Sequence, residues 1–157
     1  MDQVTRGPSG RRFPTLWICH LEETMALPHV AVTADFTYLE GWWVRERSWQ
    51  EVPLRDVLDR TGLEPAAWYV AVYAADHNGE HKVLLDRDQA LALTSILALA
   101  KDGNPLSHGH GVPLRLQVAG ADCFVQVKWL MRMEALVEPV AETGRKIALD
   151  RLQKLKG

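Results

Sequence analysis

His110, Arg115 and Lys128 lie within one short stretch, HGVPLRLQVAGADCFVQVKWL at residues 110–130. An imidazole, a planar guanidinium fork and a compact ammonium are the side chains that hold phosphates and other oxyanions, through charge-assisted hydrogen bonds. In VPLRLQV, Val112, Leu114, Leu116 and Val118 alternate with polar Arg115 and Gln117, the period of a half-buried strand. Gly120, Ala121 and Asp122 form a turn signal, after which FVQVKWLMRMEAL alternates again. The pattern predicts a hairpin that gathers the three groups around a small anionic ligand. Each also has an ordinary use: His110 as a loop histidine bonded to backbone, Arg115 as a solvated strand residue, Lys128 as an edge-strand charge.

Other residue types make weaker cases. Trp43, Arg45, Arg47 and Trp49 can line the mouth of an anion site through charge and cation-π contact, or form a solvated loop. Glu40, Gly41 and Trp42 read as architecture. His77, His81, His108 and His110 invite a zinc reading, but H-x3-H across a hairpin turn does not aim two imidazoles at one point as a helix does, so no metal site is assigned. The chain lacks a G-x-S-x-G elbow, a Walker loop and a dinucleotide fingerprint; the Gly-His-Gly at 109–111 has no third glycine.

The elements that must position these groups follow from periodicity. Residues 1–14 read as a flexible arm, residues 15–140 as the domain, and residues 141–157 as a C-terminal amphipathic helix with Ala148, Leu152 and Leu155 on one stripe. That helix packs on its own domain or offers a face to a protein partner or a second copy. LEETMALP predicts a short helix stopped by Pro28, and HVAVTADFTYL a strand. EGWWVRERSW is assigned to a loop. VPLRDVLDRTG predicts a short helix closed by Gly62. WYVAVYAAD and HKVLLD predict two strands about an Asn78-Gly79 turn. DRDQALAL is assigned to a short helix and SILALA to a strand.

Composition bounds the reading. A chain of 157 residues with 47% apolar content and six Trp suffices for one folded domain. Lys plus Arg number 18 against 20 Asp plus Glu, so the net charge of -2 gives no electrostatic case for nucleic acid or an anionic membrane. Cys19 and Cys123 form no metal-type pair. The charged opening segment has no apolar run, and LALTSILALA is too short to span a bilayer, so a cytoplasmic protein is expected.

HGVPLR, followed at a fixed distance by VKWL, resembles the molybdopterin-binding domain of the sulfite oxidase family, in which a His-Gly-x-Pro-x-Arg strand leads into Ser-x-Lys-Trp-Leu. LALTSILALAKDGNPL and YLEGWWVRERSWQEVPLRDVLDRTGL resemble the family's upstream blocks in the same order, so the likeness runs over about residues 20–137. The resemblance implies a mixed α/β fold, with a twisted mixed sheet and short flanking helices. It also implies a molybdenum-molybdopterin cofactor among Tyr38, Asp76, His110, Arg115 and Lys128, and an oxidoreductase activity.

Three departures bear on that activity. Tyr38 stands where the family has its molybdenum-ligating Cys; a phenol is longer, harder and keeps its proton near pH 7. Val125 and Gln126 replace a cation and a serine, and the N-terminal stretch is shorter than the family's leading segment. The reading is therefore a molybdopterin-binding oxidoreductase-like protein in which Tyr38 works against the redox step. The alternative is a non-catalytic binding or scaffold domain that retains the fold without the cofactor.

Overall fold

Period-2 alternation in this chain resolves into two sheets, and their placement decides which side chains meet. The computed structural model describes residues 15–16, 21–37, 43–76 and 79–156. One sheet runs in the order β1 (Thr15–Leu16), β9 (Leu130–Leu136), β4 (Tyr69–Asp76), β5 (Gly79–Asp86). The other runs β2 (Val30–Thr37), β3 (Trp43–Pro53), β6 (Ser95–Lys101), β7 (Asn104–Pro105), with β8 (Arg115–Val118) also paired to β6. Every pairing among the described residues is antiparallel. The mixed α/β class stands, with two antiparallel sheets in place of the single mixed sheet.

The predicted helices form where their signals lie. A five-residue turn of helix, α1 (Leu21–Met25), stops before Pro28. α2 (Leu54–Thr61) starts after Pro53 and buries Leu54, Val57 and Leu58, one face at helical spacing. It ends on Gly62 at φ 79°, a left-handed cap that glycine adopts without a Cβ clash. α3 (Arg87–Leu91) has a reciprocal capping box: the Gln89 N–H donates to the Asp86 carboxylate at 2.8 Å, and the Asp86 N–H donates to the Gln89 amide oxygen at 3.2 Å. α4 (Gly144–Lys156) seats its first turn on its own domain, because a Cβ on Gly144 would lie 2.8 Å from Val83 Cγ1. None of the helices among the described residues is long and apolar enough to cross a membrane.

The main core lies where α2, β4 and β5 meet one face of the second sheet. Leu54, Val57, Leu58, Val70, Val72, Val83, Leu85, Leu97 and Leu116 are all at most 1% exposed. Alternation along β6 turns Ile96 and Ala98 to the opposite face, where they pack with Trp49 and Leu106 in a second cluster. Cross-strand pairing sets Arg115 opposite Ala98 and Gln117 opposite Ile96. The polar phase of β8 therefore belongs to this second face.

Two expectations are corrected. Residues 43–53 are strand β3, not part of a loop: no Gly or Pro interrupts them before Pro53, and Val44, Trp49 and Val52 favour extended backbone. The predicted hairpin is also absent as such. β8 pairs with β6, β9 pairs with β4 and β1, and residues 119–129 between them include a 3-10 turn at Cys123–Val125. Trp129, at φ 51°, takes the chain off its extended path just before β9. The two segments remain neighbours through irregular bonds, with the Leu116 N–H donating to Val127 O at 2.8 Å and the Leu130 N–H to Leu114 O at 3.0 Å.

Residues 1–14, Tyr38, Glu40, Gly41, Trp42 and His77 lie outside the described residues.

Candidate functional site

The predicted trio does meet, by a route other than a hairpin. His110 sits in a 3-10 turn (His108–His110) closed by Gly111, whose φ of 105° is left-handed. Its ring is held on both sides, with Nδ1 2.7 Å from Ser107 Oγ and Nε2 2.9 Å from Lys101 Nζ. An ammonium has only protons to give, so the Lys101 contact requires Nε2 to be the acceptor and places the ring proton on Nδ1, donated to Ser107 Oγ.

Arg115 is only 4% exposed, so it is not a solvated strand residue, the ordinary use open to it. Its Nη1 donates to His110 O at 3.3 Å and its Nε to Gln117 Oε1 at 3.1 Å. The guanidinium carbon lies 4.7 Å from the centre of the Trp49 ring, while Lys101 Nζ lies 5.7 Å from that ring. A buried indole thus carries two cations against its π system. Trp49 is 2% exposed, which removes it from the predicted mouth and makes it the support of the site. The side chains of Trp43, Arg45 and Arg47 lie outside the described residues.

Lys128 completes the group. Its Nζ donates to Gly109 O at 2.6 Å, and Trp129 Nε1 donates to His108 O at 3.0 Å, so the VKW segment clasps the histidine turn. Partial burial first, then the positive charges of Arg115 and Lys101, hold the Lys128 ammonium below the usual lysine range. Like charges brought together within a partly buried space are what an anion site presents before its ligand arrives. Lys128 is therefore no ordinary edge-strand charge.

Asp76 ends β4 opposite Gly79, in the other sheet; its side chain lies outside the described residues, as does the whole of Tyr38. His81 belongs to β5, where Nε2 is 3.4 Å from Phe124 O, so it does not join His108 and His110. Gln126, which stands where the family has Ser, is structural here. Buried to 8% exposure, its amide accepts from the Val118 N–H at 2.7 Å and donates to Val118 O at 2.6 Å and Ala121 O at 3.2 Å.

Sequence reasoning missed Lys101 and Ser107. The signal for Lys101 was the Asp102-Gly103 pair, a mirror-image hairpin dipeptide whose two residues have φ 51° and 78°. That turn extends β6 through Lys101, which pairs with both Trp49 and Asn104.

The fold is a mixed α/β domain that carries a cluster of cationic side chains, and comparison with known proteins gives its family. Residues 18–143 match the oxidoreductase molybdopterin binding domain, and the chain belongs to that family. It is 32% identical over 109 residues to the uncharacterized oxidoreductase YuiH of Bacillus subtilis, covering 69% of this chain and 54% of that protein. It is 33% identical over 146 residues to the inducible nitrate reductase [NADH] 1 of Glycine max, covering 85% of this chain and 16% of that protein. The chain thus spans about half or less of these relatives. The sulfane dehydrogenase SoxCD of Paracoccus pantotrophus shares the fold, with a TM-score of 0.72, 19% identity, and coverage of 82% of this chain and 39% of that one.

Proposed function

We propose that the cluster of Lys101, His110, Arg115 and Lys128 receives the anionic phosphate end of a molybdopterin cofactor, making the chain a molybdopterin-binding, oxidoreductase-like protein. The observation that carries this is the partly buried Lys128, bonded to Gly109 O at 2.6 Å, whose charge is disfavoured first by burial and then by Arg115 and Lys101. The donor set fits: a guanidinium fork and two ammonium groups suit phosphate oxygens. Tyr38 and Asp76 complete the proposed site on the strength of their positions in the family's motif. When bound, such a cofactor supplies oxygen-atom or electron transfer at its metal. The protein's own residues supply charge and orientation: Trp49 fixes the planes of the cations, and Ser107 and Lys101 fix the His110 ring. With Tyr38 in place of a thiolate, the chain binds without carrying the redox step.

A second reading, a binding domain that has lost the cofactor, draws on Gln126. The position where the family has Ser is committed here to clamping backbone. The two readings separate by molybdenum per chain and the fluorescence of released, oxidised pterin, measured in the natural chain and in Tyr38→Cys. Pterin with little molybdenum in the natural chain, and more metal in Tyr38→Cys, is the expected result. Neither pterin nor metal in either protein supports the second reading, and near-stoichiometric molybdenum with turnover in the natural chain overturns the loss of redox chemistry.

A further inference from the structure

We infer that Met25 O, the His29 ring and the Glu51 carboxylate form a site for a borderline divalent metal ion such as zinc, which ties the first helix to the second sheet. The inference stands apart from the cofactor reading, because none of these groups belongs to the cluster around Lys128.

Local sequence brings the three groups together. Pro28 follows α1, so the chain leaves the helix and enters β2 at Val30 with His29 between them. β2 pairs antiparallel with β3 and sets Val30 opposite Glu51, which makes His29 the neighbour of that carboxylate. Its Nε2 lies 3.0 Å from Met25 O and 3.8 Å from Glu51 Oε2. A carbonyl only accepts, so Nε2 carries a ring proton and donates it to Met25 O.

Glu51 Oε2 is left outside that bond. Its side chain is 9% exposed, with α1, β2 and β6 all against β3, and Oε2 has no hydrogen-bond partner among the described residues. A buried carboxylate oxygen calls for a proton, a donor or a cation. At 3.8 Å the imidazole is too far to be the donor. The spacing suits an ion instead, since nitrogen and oxygen donors at about 2.0–2.2 Å from one zinc stand roughly 3–4 Å from each other. An imidazole with oxygen donors favours zinc and its transition-metal neighbours over magnesium, which prefers oxygen alone. Binding moves the ring proton from Nε2 to Nδ1 by exchange with solvent, and the ion takes its place. Glu51 binds as the carboxylate and releases to solvent any proton it held. The His29 side chain is 49% exposed, which leaves the remaining coordination positions to water.

The test titrates zinc into the reduced chain after chelator treatment, with magnesium for comparison. The proteins are the natural chain, Glu51→Gln, His29→Gln and the control His108→Gln, whose exposed imidazole lies beside Trp129. Zinc should raise the Tm of the natural chain where equal magnesium does not. The His29 ring nitrogen shifts should pass from the Nε2–H tautomer to the Nδ1–H form with metal on Nε2. Affinity for zinc should fall by roughly tenfold or more in Glu51→Gln and in His29→Gln, and stay unchanged in His108→Gln. Glu51→Gln keeps the shape of the carboxylate, and its Tm in chelator should be no lower than that of the natural chain, so a lost zinc response there is not a lost fold. Zinc affinity that is equal in the natural chain and both site variants overturns the inference. So does binding that leaves the His29 tautomer unchanged, or no response at about 1 mM zinc.

Discussion

Gln126 grips Val118 by both backbone groups, accepting from its N–H at 2.7 Å and donating to its carbonyl at 2.6 Å. One side chain here replaces the ladder that a true hairpin would have supplied between the end of β8 and the returning chain. The grip also bears on the site, because β8 carries Arg115. Removing it leaves buried peptide groups without partners, a loss of about 1–3 kcal/mol for each group. Gln126→Ala and Gln126→Ser should each lower unfolding free energy by roughly 2–4 kcal/mol in urea titration. A loss under about 0.5 kcal/mol would mean that water or a shifted chain satisfies Val118 equally well. Restoring the family's Ser at this position is thus expected to weaken the fold and to leave metal retention no better.

Gly111 bears on Lys128 in a comparable way. A Cβ at this position would lie 2.9 Å from Lys128 Cβ, and the backbone at φ 105° disfavours any L side chain. Gly111→Ala should destabilise the domain by more than the roughly 1 kcal/mol of an ordinary glycine exchange, and should shift the Lys128 amide resonance. Unchanged stability together with an unchanged Lys128 resonance would show that the approach is looser than drawn.

Much of this was legible in the chain. Short elements with complete punctuation were read well, as with α2 between Pro53 and Gly62, α3 at Asp86, and β4 and β5 flanking Asn78-Gly79. Local signals also placed His110, Arg115 and Lys128 together. What could not be read was the partner of each strand. Alternation in VPLRLQV gives two phases but does not say that the polar one is covered by Trp49, Ile96 and Ala98. Burial of Arg115 depends on pairing between β6 and β8, residues well separated in sequence, and sequence period carries no such information. Lys101 was overlooked for the same reason, since its neighbours His110 and Trp49 come from a turn and from another strand.

Glu51 predicts a pH dependence away from the site. It is 7% exposed on β3, its Oε2 has no hydrogen-bond partner among the described residues, and His29 Nε2 stands 3.8 Å away. Burial raises its carboxyl above the usual value of 4.5, with the His29 charge opposing in part. A raised folded-state pKa means that the folded chain holds the proton longer than the unfolded one. The stabilising contribution is therefore full below about pH 4.5 and is lost as pH rises through the folded value. Glu51→Gln should flatten that part of the stability profile and raise Tm near neutral pH by a few degrees, about 1 kcal/mol in a domain of this size. A profile identical to that of the natural chain would show that Glu51 ionises without penalty.

Lys128 should give the opposite slope at the alkaline end. Its folded pKa lies below 10.5 because burial, Arg115 and Lys101 disfavour the ammonium. Between that lowered value and 10.5 the unfolded chain binds more protons, so stability contributed by this group rises with pH across the window. Below the window, neutral pH included, the penalty is present in full. Lys128→Met removes the titration while also removing the bond to Gly109 O, so its overall stability can move either way. The difference between the two pH profiles isolates the charge: subtracting Lys128→Met from the natural chain should leave a rise that ends near pH 10.5. Saturating phosphate should shrink that rise, because an anion among Lys101, Arg115 and Lys128 favours the ammonium and moves its pKa back toward the ordinary range. A rise that is unaffected by phosphate, although phosphate binds, would place the bound anion away from Lys128.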